Sequence, residues 1–247
     1  QGVKVNTAFD ATTNSLNLTG AGQFDAIADF DAEGSLDDIG GISSSGTYDF
    51  ASTLDLGAVF SLDLVRHFKT EGFYPSDLFD SRTANLDTWT DFDGTDANDV
   101  DAQLFVRTTQ DDPSGSPTYS DFQNFTSGMF KARAFQFRTV LTSNDPAQDI
   151  RVFQLGYSAK LEQRTDQGTG QTITSSAGVT TVPFTSPFFV GTSALGNLNQ
   201  HLPTVNVTAQ NLASGDFFEI SNITASNFQI HFKNSSNASI SKQFTFT

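Results

Sequence analysis

Apolar and polar positions alternate with a period of two along much of the chain, in short runs broken by turn residues. Thr47-Tyr48-Asp49-Phe50 and Leu54-Asp55-Leu56 alternate, and Val59-Phe60-Ser61-Leu62-Asp63-Leu64-Val65 reads as a further strand. Side chains of a strand point alternately to its two faces, so this spacing predicts half-buried sheets. In a later strand, Arg133, Phe135, Phe137, Thr139 and Leu141 fall on one face. Ala132, Ala134, Gln136, Arg138 and Val140 fall on the other. Phe153, Leu155 and Tyr157 are predicted to share a face of a closing strand. Between them, Ala102–Arg107 predicts an apolar strand, Asp111–Pro117 a turn, and Tyr119–Phe122 a short aromatic strand.

The pattern also divides the chain. Residues 162–178 are rich in Thr, Gln, Gly and Ser and predict a linker. After it, Val182/Phe184, Val205/Val207, Phe218/Ile220, Phe228/Ile230/Phe232 and Phe244/Phe246 predict about five or six short strands. Gly191–Gln200 reads as an inserted loop. Residues 1–47 are polar and Asp/Gly/Ser-rich; they predict a connector from an upstream region, with Phe24, Ile27 and Phe30 at helical spacing. The expected organisation is a connector (1–47), a β-sandwich (48–161), a linker (162–178) and a small β-sandwich (179–247). The fold class is all-β, with two sandwich modules.

Composition narrows the function. The chain carries a formal net charge of −15, which repels nucleic acid and anionic membrane surfaces. It has no cysteine, which excludes disulfides, zinc–thiolate sites and cysteine nucleophiles. Its 25 phenylalanines supply large apolar areas from which small modules can build cores. No apolar run reaches the length of a membrane span. The start at Gln1-Gly2-Val3 reads as part of a longer or processed chain.

Several constellations carry candidate chemistry. Asp91, Asp93, Asp96 and Asp99 lie in an acidic run with Gly94 at a turn, and such oxygens can converge on Ca2+. The spacing is not that of an EF-hand, and a solvated acidic loop is the plainer alternative. Trp89, the single tryptophan, either stacks on a sugar ring or packs on the module itself or at a subunit contact. His67, His201 and His231 have no metal-ligand spacing and read as structural. Arg107 and Arg138 lie on predicted strands beside aromatic residues, where ion pairing or sheet-corner packing outweighs ligand binding. Asn17, Asn124, Asn206, Asn222, Asn234 and Asn237 match the glycosylation sequon, as expected by chance in so Asn/Ser/Thr-rich a chain. No carboxylate pair is identifiable as a glycosidase site from spacing. The expectation is a protein that is not an enzyme.

Several segments together resemble the C-terminal modules of bacteriophage central tail fibre, or host-specificity (protein J-type), proteins. In the first half they are Leu54-Asp55-Leu56-Gly57-Ala58-Val59, Asp77-Leu78-Phe79-Asp80-Ser81-Arg82, Ala102–Phe122 and Ala132-Arg133-Ala134-Phe135-Gln136-Phe137-Arg138. In the second half they are Val207–Ile220 and Phe228–Ser236. The Gly191–Gln200 loop and the Asp-rich 91–101 run depart from the family pattern. The resemblance implies a discoidin-like (galactose-binding-like) jelly roll followed by a small sandwich similar to H-type lectins. It implies a homotrimer at the tail tip of a virion, outside the cell. Its partners would be other tail-tip or baseplate proteins and a host-surface glycan or protein receptor. A purely structural docking module and a carbohydrate-binding module of a secreted enzyme are the alternatives.

Overall fold

A computed structural model describes residues 2–20, 41–75, 85–88, 97–167, 172–191 and 202–247. The helical spacing of Phe24, Ile27 and Phe30, Trp89, Asp91, Asp93, Asp96, His201 and residues 192–200 of the inserted loop lie outside the described residues. The described chain is nearly all β, in several sandwich-like sheets, with a 3-10 turn at Leu86–Thr88 and no α-helix. No helix among the described residues is long and apolar enough to cross a membrane. The chain divides into two compact units, residues 1–54 with 61–160, and residues 55–60 with 161–247.

The first unit carries β1 (Val3–Val5), β2 (Thr7–Asp10), β3 (Ser15–Leu18), β4 (Ser45–Asp49), β5 (Leu54–Phe73), β6 (Val100–Thr109), β7 (Gln123–Asn124), β8 (Gly128–Ser143) and β9 (Asp149–Lys160). They form one sheet in the order β1-β4-β8-β5-β9-β3-β2, with β6 on β8 and β7 on β6. Among the described residues, the 1–47 segment supplies three strands and the start of a fourth to this sheet. The physical reason is a hairpin. Thr7-Ala8-Phe9-Asp10 pairs with Ser15-Leu16-Asn17-Leu18 around a turn in which the Asp10 carboxylate accepts from Thr12 N (2.8 Å) and Thr13 Oγ1 (2.6 Å).

Asn6 joins the two ends of this sheet. With φ 50° it turns the chain from pairing with β4 to pairing with β3. Its carbonyl accepts from Thr19 N at 3.0 Å. The corner crosses β4 at Gly46, where a Cβ would stand 2.6 Å from Asn6 O and 2.8 Å from Leu18 Cδ2. Only glycine lets the backbones approach so closely. One part of the core gathers Leu16, Leu18, Leu141, Ile150 and Val152, with Tyr48 and Leu155 packed at its margin. Another part is aromatic: Phe137 stacks on Tyr157 at 4.2 Å and meets the fully buried Phe125 at 5.4 Å.

The closing strand departs from its predicted alternation. Lys69 pairs with Gln154 but Thr70 pairs with Val152, so Phe153 is an extra residue in β9. This bulge shifts the frame, so that Ile150 and Val152 face the core before it and Leu155 and Tyr157 pack inward after it. Phe153, the extra residue, does not pack into the core with them and stands 46% exposed.

The second unit holds β10 (Ile173–Thr174), β11 (Val179–Pro183), β12 (Val207–Gln210), β13 (Phe217–Ser221), β14 (Asn227–Lys233) and β15 (Gln243–Phe246). Two three-stranded sheets, β11-β14-β13 and β10-β15-β12, contribute to one core of Val182, Phe228, Ile230, Phe232, Phe244 and Phe246. Burying each of these large side chains is worth about 1.5–3 kcal/mol. The alternation predicted at 228–232 and 244–246 is what places them together. The predicted linker also contributes: Ile173–Thr174 pairs with β15, and Asp166 accepts from Thr185 N at 2.6 Å.

Candidate functional site

A groove of about 350 Å³ opens on the first unit. Its floor is a row of paired residues. Phe9 of β2 lies opposite Leu16 of β3, and Leu16 lies opposite Val152 of β9, so the three side chains share a face. Leu16 and Val152 are core residues, while Phe9, on the outermost strand, is 50% exposed. Phe153 and Leu155 of β9 line the same groove. The bulge at Phe153 re-aims that ring, so it meets solvent beside the floor.

Polar groups enter from the other side of the sheet closure. Lys4 of β1 lies opposite Tyr48 of β4, and both line the groove. Gly2 N donates to Tyr48 Oη at 3.3 Å. Asn14, held at φ 52° in the β2–β3 turn, completes the lining. Two acids lie close by in sequence, and both are engaged elsewhere. Asp10 is held by Thr13 and Thr12, whose hydrogen bonds keep its carboxyl below the usual range. Asp49 is paired with Arg138. Lys4 makes no ion pair among the described residues, so the groove presents an ammonium group beside two half-exposed rings.

A second aromatic cluster sits on the outer face of β6 and β8. Arg107 Cζ lies 4.8 Å from the Tyr119 ring and 4.6 Å from the Phe122 ring. Arg138 Cζ lies 4.4 Å from the same Phe122 ring, and its guanidinium donates twice to Asp49, at 2.6 and 2.9 Å. Arg107 Nε donates to Gln136 Oε1 at 2.9 Å, and Gln136 Nε2 donates to Thr53 Oγ1 at 2.9 Å. The segment expected as an aromatic strand is not a strand. It crosses β6 through Ser120 N to Thr108 O (2.9 Å), bringing its rings to the arginines. The preceding turn is built as its residues suggest. Asp112 accepts from Ser114 Oγ and N and from Arg133, in that order of effect, and its carboxyl is pushed down to about 2.

Of the acidic set proposed for Ca2+, Asp99 is described. Its amide donates to Gln148 Oε1 at 2.9 Å, and Gln148 Nε2 reaches Asp145 Oδ2 at 2.9 Å and Tyr74 Oη at 2.8 Å. Asp99 is thus tied to the 145–148 turn by a buried amide. Among the described residues no group of three or more His, Asp or Glu side chains could hold a metal ion.

Two of the histidines meet serines. His67 Nε2 lies 3.1 Å from Ser158 Oγ, and His231 Nε2 lies 2.8 Å from Ser239 Oγ. Glu219 is the cross-strand neighbour of His231. A hydrolytic triad needs that acid to orient the imidazole. Here Lys233 Nζ holds the Glu219 carboxylate at 2.8 Å and lowers its pKa.

The groove residues are candidate positions that sequence reasoning missed. Two signals could have revealed them. One is the alternation of Thr7–Asp10 and Ser15–Leu18 about an Asp-to-Asn turn. The other is the break in alternation between Ile150/Val152 and Leu155/Tyr157. No family model, curated protein or solved structure matches the chain.

Proposed function

We propose that the chain is a non-enzymatic surface-recognition module, the distal part of a phage central tail fibre that helps the particle adhere to its host. In this reading the first unit is a discoidin-like jelly roll and the second a small sandwich similar to H-type lectins. Three copies assemble at the tail tip, extracellularly, beside other tail-tip proteins. The observation that carries the recognition role is the groove. Pockets that bind small ligands are concave, mostly apolar and fitted with a few placed polar groups. Phe9, Phe153, Leu16 and Val152 supply the apolar wall, and Lys4, Asn14 and Tyr48 the polar groups. Trimeric display would multiply a weak contact into firm adhesion. The tail-fibre assignment itself draws on the sequence segments quoted above.

A purely structural docking role has one observation in its favour. Val3 and Val5, on the three-residue strand β1 at the end of the sheet order, are 66% and 54% exposed. Edge strands of this kind accept partner chains.

The test is binding of the labelled, multimerised chain to a panel of bacterial cells, with and without EDTA. Saturable binding that Phe153→Ser abolishes supports recognition through the groove. Loss with EDTA adds a Ca2+ requirement and directs attention to the acidic run at 91–99. Absence of binding to every strain, with retained capture of a tail-tip protein, favours docking.

A further inference from the structure

We infer that the groove takes an acidic sugar, with the ring stacked on Phe9 and Phe153 and the carboxylate paired with Lys4. The inference rests on the recognition reading above and specifies the ligand class of the same site.

Three observations lead there. The first is exposure. Phe9 and Phe153 are 50% and 46% exposed, and both line the groove. A wholly apolar ligand would need walls on every side to leave water. A pyranose has one face of C–H groups and a rim of hydroxyls, so it fits a surface that covers one side only. Aromatic side chains suit such half-wet contacts. A volume near 350 Å³ lies at the small end of ligand pockets, which matches one or two sugar rings rather than a long chain.

The second is charge. The chain holds 28 acidic against 13 basic lysine and arginine residues, yet the charged group in this groove is an ammonium. Carboxylates on the flanking strands are committed elsewhere. Asp10 is turned into its own hairpin, and Asp49 is bidentate to Arg138. Lys4 is left to face the groove opposite Tyr48. In a field this negative, a local cation selects for an anionic group at close range, because the distant acids are screened over about 8–10 Å at physiological salt.

The third is construction. Phe153 reaches the groove because of a bulge, and Lys4 and Phe9 are brought to one rim by the turn at Asn6. Asn14 adds an amide that can serve both as donor and as acceptor to ring hydroxyls. Bulges that re-aim a side chain are common beside binding sites.

The test uses the full chain and two probes, an oligogalacturonate and its methyl ester, which keeps the shape and removes the charge. Calorimetric titration of each is expected to show the acid bound about tenfold tighter than the ester. Lys4→Gln should abolish that preference and leave ester affinity within about twofold, while Phe153→Ser should weaken both probes about tenfold or more. Raising the salt should narrow the gap between acid and ester. Equal affinity for the two probes, or an acid preference that survives Lys4→Gln, overturns the inference. So does absence of binding by either probe at millimolar concentration. Cell adhesion that persists in that last case would leave the recognition reading standing. Acid-selective binding without cell adhesion would do the reverse.

Discussion

The first unit displays two aromatic surfaces made from similar residues, and they end in opposite states. On the outer face of β6 and β8, Tyr119 and Phe122 lie under two guanidinium groups, and those groups are in turn held by Gln136 and Asp49. The cluster is closed, because both guanidinium groups that lie over its rings are already engaged. In the groove, Phe9 and Phe153 share a lining with Lys4 and stay about half exposed. The difference teaches that aromatic content says little about binding. What matters is whether the chain supplies its own cover. Between 110 and 122 it does, through an Asp-Pro-Ser-Gly turn that folds the following segment back over the sheet. Near Asn6 it does not, since the strands switch partners there and leave an open rim.

The strongest way to break both surfaces at once is to destabilise the unit that carries them. Phe137 is nearly fully buried, stacks on Tyr157 and lies behind the sheet that carries the arginines. Phe137→Ala should cost about 3–5 kcal/mol by chemical denaturation of the first unit. Ligand binding should disappear with it, which gives the reference for global loss.

A smaller change should separate the surfaces. Arg138→Ala removes the pair with Asp49 and one cation over Phe122. An exposed ion pair and one cation–π contact together predict about 1–2 kcal/mol in a thermal or urea melt. Groove binding should stay within about twofold of the parent. If it falls with Arg138, the two surfaces are coupled rather than independent.

Phe153→Ser should do the opposite. Stability should move by no more than about 0.5 kcal/mol, as for an exposed position. Adhesion to cells and sugar affinity should both collapse. A large loss of stability would mean that the bulged ring is a packing residue.

The finest contrast is in pH. Asp112, on the covered side, is pushed down to about 2 by Ser114 and Arg133. It contributes stability above the ordinary carboxylate range, and that contribution is lost as pH falls toward 2. Asp149, in β9 and beneath Leu18, is raised by burial, against the hydrogen bonds from Ile150 N (2.7 Å) and Leu18 N (3.2 Å). Its anion is disfavoured in the folded chain. Its contribution is therefore greatest below the ordinary carboxylate value and is lost as pH rises through its elevated one. Asp112→Asn should flatten the acid limb of the stability curve, and Asp149→Asn should remove a decline on going from acid to neutral pH. Thermal melts across pH 2 to 7 would reveal a reversed sign at either position.

Much of the fold is legible in the sequence where alternation is clean. The sets Phe228/Ile230/Phe232 and Phe244/Phe246 become the second core because a two-residue period can satisfy one buried face and no other arrangement. Phe135/Phe137 and the residues opposite them behave likewise. The turns are also written locally. All five non-glycine residues with positive φ among the described residues are asparagines: Asn6, Asn14, Asn211, Asn222 and Asn237. Asn adopts that conformation at low cost, so the polar composition that looks featureless is in part turn chemistry.

The groove was not legible, and the reasons are specific. Residues 3–5 form a short strand whose partner lies far along the chain, and the hairpin of residues 7–18 joins the sheet through β9. Val3 pairs with Asp49, and through Leu16 the hairpin reaches Val152. Local pattern carries no information on such pairing. Phe153 looked like part of an alternating face because a bulge adds one residue, and only the partner strand counts it. The sequence by itself determined the all-β class, the residues of the Phe-rich cores, the Asp and Asn turns and the acidic surface, all of which follow from side-chain period and backbone preference. Tertiary structure alone decided that Asn6 joins the two ends of a sheet, that Arg107 and Arg138 cover Phe122, and that Lys4, Phe9 and Phe153 share one rim. Those outcomes depend on which distant backbones pair, and in what register, a matter of packing free energy summed over the unit rather than of any local segment.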